Sequence, residues 1–78
     1  MMRKACIKLM GTTKIACLIA GDLGMGRLLY IIDVSQDLSI IPTQEHWFKA
    51  LQKCQNKAVE LKYEVTRVQG ARLAGIER

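Results

Sequence analysis

The amino-acid sequence predicts a small α+β domain, in which one long amphipathic helix covers one face of a three- to four-stranded, largely antiparallel sheet. Residues 43–61 repeat apolar side chains at helical spacing, whereas the segments on both sides alternate or are rich in β-branched residues, as strands are. The expected element order is β-β-β-α-β, and the order of the strands within the sheet stays open. A chain of 78 residues forms a single domain with a marginal core, for which a partner subunit is a common remedy.

The first two strands are expected to form a hairpin. Residues 3–10 alternate between apolar and polar side chains, and residues 14–20 form a second strand-like run. The intervening Gly11-Thr12 suits a two-residue type II′ turn, because glycine tolerates the positive φ of the first central position. This turn fixes a register with three expected cross-strand pairs: Met10 with Thr13, Ile7 with Ala16, and Cys6 with Cys17.

The remaining elements follow from composition. The glycine-rich segment 21–26 is expected to be a loop or a long hairpin turn, and 27–34 to be a strand buried on both faces. Residues 35–42 connect this strand to the helix. After the helix, 63–68 form the last main strand, and the tail that follows adds a short edge strand or wraps the surface.

The helix has clear start signals. Thr43 is the expected N-cap and Glu45 lies in the first turn, where a carboxylate is favourable. Glu45 and Lys49 are one helical turn apart and are expected to pair. Trp47 opens the apolar stripe and is expected to be a core anchor between helix and sheet.

No catalytic, cofactor or metal motif stands out, so we expect a non-enzyme without cofactors. Three cysteines without close spacing are typical of reduced core thiols, which favours a cytoplasmic protein. Neither a signal peptide nor a membrane span fits the short apolar run 15–20. His46 lies about 12 Å along the helix from Cys54, so the two cannot form a nucleophile pair. The GxxG pattern at 21–24 carries Asp22 and lies between strands, which favours a turn over a phosphate site.

The basic residues support one alternative function, nucleic-acid binding. The formal net charge is +5, and three lysines four residues apart form a ridge on the outer side of the expected helix. The candidate contacts are Lys49, Lys53, Lys57, Arg67 and Arg72, with Arg78 in the tail. A charged stripe opposite an apolar stripe is also what any solvated helix needs, and this interpretation is favoured.

The favoured function is that of a non-catalytic interaction protein, which forms a homodimer or binds another protein. One helix can cover only one face of the sheet, so the other face is expected to self-associate. The expected contact residues are Ile15, Ile19, Leu29 and Ile31. A competing cover within the chain is 38–41 or the tail around Leu73 and Ile76. A small enzyme with a site at a subunit interface is the third hypothesis.

Overall fold

The computed structural model describes residues 3–35 and 41–70, and it confirms the α+β class and the expected element order. The elements are β1 (Arg3–Met10), β2 (Ile15–Ala20), β3 (Leu28–Asp33), α1 (Gln44–Glu60) and β4 (Tyr63–Gln69). The strands lie in the order β3-β2-β1-β4. The pairs β1–β2 and β2–β3 are antiparallel, whereas β1–β4 is parallel, so the sheet is mixed and has β3 and β4 at its edges. The expectation that 27–34 is buried on both faces is therefore wrong, because β3 is an edge strand on which Leu28 and Ile31 are about half exposed.

The first hairpin corrects the predicted register. Ile7 lies opposite Leu18 and Cys6 opposite Ile19, so the predicted pairing of Cys6 with Cys17 is wrong by two residues. Because side chains alternate with a period of two, this shift leaves every side chain on its predicted face. Cys6 and Cys17 are therefore diagonal neighbours on one face and not directly opposed.

The connection between β1 and β2 explains the shift. It contains four residues, 11–14, and its left-handed residue is Lys14, with a φ of 58°, where the predicted turn required a positive φ at Gly11. The carbonyl oxygen of Lys14 accepts a hydrogen bond of 3.0 Å from the backbone N–H of Val34. This contact ties the loop to the chain after β3, which the local sequence of the turn could not indicate.

The start of α1 is capped as predicted. The Thr43 hydroxyl accepts a hydrogen bond from the backbone N–H of His46, and Nδ1 of His46 accepts one of 3.0 Å from the backbone N–H of Thr43. This reciprocal arrangement is a capping box, which satisfies two backbone N–H donors at the start of the helix and gives His46 a structural role. Glu45 and Lys49 form the predicted ion pair at 3.4 Å.

The hydrophobic core lies between α1 and one face of the sheet. Trp47 is only 5% exposed, which confirms its predicted burial. The other buried helix residues are small, namely Ala50, Cys54 and Ala58, so the helix can approach the sheet closely. The sheet contributes Ala5, Ile7, Leu9, Ala16, Leu18 and Tyr63, and Val34 joins them directly after β3.

Each edge strand contains an irregularity. The β1–β4 register shifts between Ala5 and Cys6, and the hydroxyl of Thr66 donates a hydrogen bond to the carbonyl of Ala5 at 3.4 Å. The β2–β3 register shifts at Leu18 and Ile19, which leaves Leu29 as an extra residue. Leu29 packs against the core beside the helix.

Candidate interaction surface

The sheet face opposite α1, called here the open face, carries the side chains that alternate with the core residues. From the strand registers these are Lys4, Cys6, Lys8, Met10, Ile15, Cys17, Ile19, Leu28, Ile31, Asp33, Glu64, Arg67 and Gln69. Its centre is apolar and its β4 side is polar. This is the face that sequence analysis left without a cover.

The glycine-rich segment 21–26, called here the cover loop, lies over part of the open face. A Cβ placed on Gly24 would lie 2.9 Å from Cε of Lys8 and 3.2 Å from Oε1 of Gln69. These two residues are cross-strand partners on β1 and β4. The loop leaves β2 and returns to β3 at a hydrogen bond of 2.9 Å between Ala20 and Arg27. It therefore reaches across the sheet to β1 and β4 and covers the part of the open face around Lys8 and Gln69, whereas Arg67 and Met10 stay exposed.

Sequence analysis recognised this segment as a loop but missed its role as a cover. Gly21 and Gly24 have positive φ values of 91° and 72°, a conformation that other residues adopt at a cost. The density of glycine was therefore the available signal that the backbone turns sharply there. It did not indicate the direction of the turn, which depends on the side chains of β1 and β4 that the loop meets.

The two thiols of the open face are buried and neutral. Burial raises the pKa of both Cys6 and Cys17, and the nearby ammonium group of Lys8 opposes the rise at each. Arg67 also opposes the rise in the pKa of Cys6, whereas Asp22 of the cover loop adds to that rise. A neutral thiol is a poor nucleophile and metal ligand. Within 3–35 and 41–70, no group of three or more His, Cys, Asp or Glu side chains could hold a metal ion.

The four residues expected at a self-association face have different environments. Ile19 is buried, Ile15 is half-buried, and Ile31 is 53% exposed. Leu29 differs from the expectation, because the bulge turns it toward the core beside the helix. Leu28 lies opposite Ile19 in its place and is 52% exposed.

Within 3–35 and 41–70, an apolar surface on the β3 half of the open face stays exposed. We call it the β3 surface and define it by Ile15, Leu28 and Ile31. Next to it, a groove of about 410 Å³ separates the start of β3 from the end of α1. The groove is lined by Arg27, Leu28, Leu29, Leu61 and Tyr63. Its lining is mixed, with apolar side chains from Leu28, Leu29 and Leu61 beside the guanidinium group of Arg27 and the ring of Tyr63.

The lysine ridge is partly neutralised by neighbouring carboxylates. Lys49 pairs with Glu45 at 3.4 Å, and Nζ of Lys57 lies 3.3 Å from Glu60 and 5.7 Å from the centre of the Tyr30 ring. Residues four apart on a helix are offset by about 40° around its axis, so three such lysines do not share one straight line. The ridge drifts toward the sheet, and Lys57 ends above β3.

Arg67 does not join the lysine ridge. It lies opposite Cys6 on the open face, whereas the lysines belong to the helix on the other side of the sheet. Arg72 lies outside the described residues, as do Arg78 and most of the two alternative covers, residues 38–40 and the tail with Leu73 and Ile76. The candidate nucleic-acid contacts that lie within the described residues are thus divided between the two sides of the sheet.

Comparison with known proteins found no family model that matches the chain, and no significant match among curated proteins or solved structures. Among the described residues, none of the helices has the length and apolar character needed to cross a membrane. The candidate surface therefore stands on its geometry alone.

Proposed function

We propose that this protein is a non-catalytic interaction protein that self-associates as a homodimer through its β3 surface. One observation carries this proposal. The cover loop reaches the β1 and β4 half of the open face and leaves Leu28 and Ile31 about half exposed on an edge strand. The surface is apolar, lies at a sheet edge and adjoins the groove between β3 and α1.

The physical argument concerns the cost of exposed apolar area. Each square ångström of apolar surface removed from water contributes about 25 cal/mol, so burying several such side chains favours association. The other large exposed apolar residues include Leu23 and Met25 on the cover loop, and Phe48 and Val59, which lie about 16 Å apart along the helix. The β3 surface differs from these in lying on the sheet itself, next to an edge strand. A two-fold dimer is the commonest way to cover a self-complementary patch.

The test is the mass of the protein in solution, measured by light scattering and sedimentation equilibrium. Wild type should be a dimer at micromolar to millimolar concentration, and Ile31→Lys should be a monomer, because the ammonium group would have to be desolvated. Val59→Lys is the matched control, since Val59 is also an exposed aliphatic residue but lies on the helix. It should remain a dimer. A monomeric wild type at millimolar concentration would overturn the proposal.

Truncation after Gly70 separates a partner subunit from a cover supplied by the tail. If a second subunit covers the β3 surface, the truncated chain should dimerise as the full chain does. A monomeric full chain that aggregates only after truncation would instead identify the tail as the cover.

Nucleic-acid binding along the helix is the alternative hypothesis, and the geometry gives it less support. Lys49 and Lys57 are paired with carboxylates, and Arg67 lies on the other side of the sheet. If binding occurs, replacing Lys49, Lys53 and Lys57 with glutamine should weaken it uniformly across sequences and reduce its salt dependence. We expect wild type to show no binding to DNA or RNA at low salt.

A further inference from the structure

We propose that the groove between β3 and α1 binds a small aliphatic carboxylate, whose carboxylate group contacts Arg27 and Tyr63 while its alkyl chain packs on the leucines of the lining. The site does not depend on the proposed self-association and adds a ligand to it. The groove has a volume of about 410 Å³, which lies within the range of small-molecule sites. Such sites combine apolar walls with a few polar groups that fix the orientation of the ligand.

The positive group of the site is the guanidinium of Arg27, which has no partner within the protein. Arg27 is exposed, and none of the described residues forms an ion pair or a side-chain hydrogen bond with it. The nearby carboxylates are directed elsewhere, because Glu60 pairs with Lys57 and Glu64 lies on the open face. A guanidinium fork matches the two oxygens of a carboxylate with two parallel hydrogen bonds. The groove therefore offers a charge-complementary position for one carboxylate.

The second polar group of the site is the hydroxyl of Tyr63. Tyr63 is only 7% exposed, yet its hydroxyl forms no hydrogen bond. Among the described residues no fully buried polar side-chain atom lacks a partner, so this hydroxyl must reach the surface. β3 and β4 are opposite edges of the sheet, about 14 Å apart, so Tyr63 can line a groove with Leu29 only if its ring extends across the sheet from β4. The hydroxyl at the end of the ring is therefore directed into the groove.

The surroundings of the groove favour an anion with an apolar chain. Arg3 lies opposite Tyr63 in the pairing of β1 with β4, and Lys62 lies between Leu61 and Tyr63; both basic residues are exposed. None of the described residues that line the groove is acidic. The apolar part of the lining consists of leucine side chains, which suit an alkyl chain and offer no further hydrogen bonds. Octanoate combines one carboxylate with one unbranched alkyl chain and is therefore the appropriate probe.

The test is a titration of the full chain with octanoate, followed by the amide chemical shifts of isotope-labelled protein. Binding should saturate with a dissociation constant of roughly 0.1–1 mM, which is typical of so small a ligand. The largest shifts should lie in residues 27–29 and 61–63. Octan-1-ol keeps the alkyl chain and acetate keeps the carboxylate, and each should bind at least about tenfold more weakly than octanoate.

Three variants assign the contacts. Arg27→Gln should raise the octanoate dissociation constant about tenfold, to near that of octan-1-ol, because the charge-assisted contact is lost. Tyr63→Phe removes only the hydroxyl and should raise the constant about fivefold. Lys53→Gln is the matched control, since it removes the same charge from the outer helix face, and it should leave the constant unaltered. Circular dichroism shows whether each variant is folded.

Two results would overturn the proposed site directly. One is the absence of saturation by octanoate at about 10 mM, which is ten times the upper expected constant. The other is an unchanged constant in Arg27→Gln. Binding that appears only in Ile31→Lys, or only after truncation after Gly70, would identify a second copy or the tail as the occupant and would likewise overturn it. The mass of wild type in solution is measured separately, so failure of this site leaves the proposed self-association standing.

Discussion

Trp47 and Phe48 are neighbours in the helix but have opposite environments. The indole of Trp47 is buried between helix and sheet, whereas Phe48 is 52% exposed. Successive helical residues point about 100° apart, so a single step takes the chain from the core to the solvent. The contribution of each aromatic residue to stability therefore depends on its face and not on its type.

Replacement of Trp47 by alanine should lower the free energy of unfolding by about 3–5 kcal/mol, because it removes a large buried side chain and leaves a cavity. In so small a domain this loss could unfold the protein. Phe48→Ala is the control and should cost about 1 kcal/mol or less. Chemical denaturation monitored by circular dichroism measures both. Equal midpoints for the two variants would contradict the assigned packing.

Cys54 should make stability depend on alkaline pH. Burial raises the pKa of this thiol to about 11 from an ordinary value of 9.0, with a smaller contribution from Cys17. Between these values the unfolded chain loses the thiol proton and the folded chain keeps it. The free energy of unfolding therefore falls as the pH rises above 9, whereas below 9 the thiol is protonated in both states and adds no pH dependence.

The comparison is between wild type and Cys54→Ala in denaturant titrations from pH 8 to 11. Wild type should lose about 1–3 kcal/mol more than the variant over this range, since one pKa unit corresponds to about 1.4 kcal/mol. Lysine deprotonation affects both proteins and cancels in the difference. Parallel pH profiles would show that the thiol is not desolvated.

At the scale of elements, α1 ends in an unfavourable backbone conformation. Lys62 follows the C-cap residue Leu61 and has a φ of 64°, in the left-handed region. Its backbone N–H donates a hydrogen bond of 3.1 Å to the carbonyl of Val59, which closes the last turn. Glycine is the usual residue at such a position, because it has no Cβ to clash.

Lys62→Gly should therefore raise the free energy of unfolding by about 0.5–1 kcal/mol, as relief of backbone strain exceeds the added entropy of the unfolded chain. The matched control is Lys53→Gly within the helix, which should cost about 1 kcal/mol. In thermal melting, the melting temperature should rise for Lys62→Gly and fall for Lys53→Gly. Destabilisation by both substitutions would indicate that Lys62 makes a contact of greater value than its strain.

At the scale of the whole molecule, the parallel pairing of β1 with β4 ends in a close backbone contact between Leu9 and Gly70. A Cβ on Gly70 would lie 2.1 Å from the carbonyl oxygen of Leu9, which is far inside van der Waals distance. Gly70 also has a φ of 83°. The parallel pairing of two strands that are distant in sequence therefore ends at a position that admits only glycine.

Gly70→Ala should destabilise the protein by about 3 kcal/mol or more, because the two strands must separate locally. Gly21→Ala is the control, since Gly21 also has a positive φ but a Cβ there would meet nothing within 4 Å. It should cost only the backbone strain, about 1 kcal/mol. If equilibrium unfolding gave equal losses, steric exclusion at Leu9 would not be the cause.

The sequence by itself determined the elements, the two faces of the first hairpin and most of the buried helix stripe, although Leu61 of that stripe is exposed and β3 lies at an edge. Helical spacing identified α1 and its cap at Thr43, and strand alternation placed Ile7 and Leu18 together in the core. These features follow from local periodicity and capping, which are properties of neighbouring residues. Self-association through Ile31 and nucleic-acid binding by the helix lysines were also inferred from the sequence pattern, and both stay predictions.

The tertiary structure decided the register, the strand order and the extent of the open face. The four-residue hairpin depends on the contact of Lys14 with Val34, and β4 pairs with β1 across more than fifty residues of intervening sequence. The cover loop depends on Lys8 and Gln69, which only the folded sheet brings together. Local sequence could not fix these contacts, because each joins segments that are distant along the chain and their energies are gained only once the sheet is assembled.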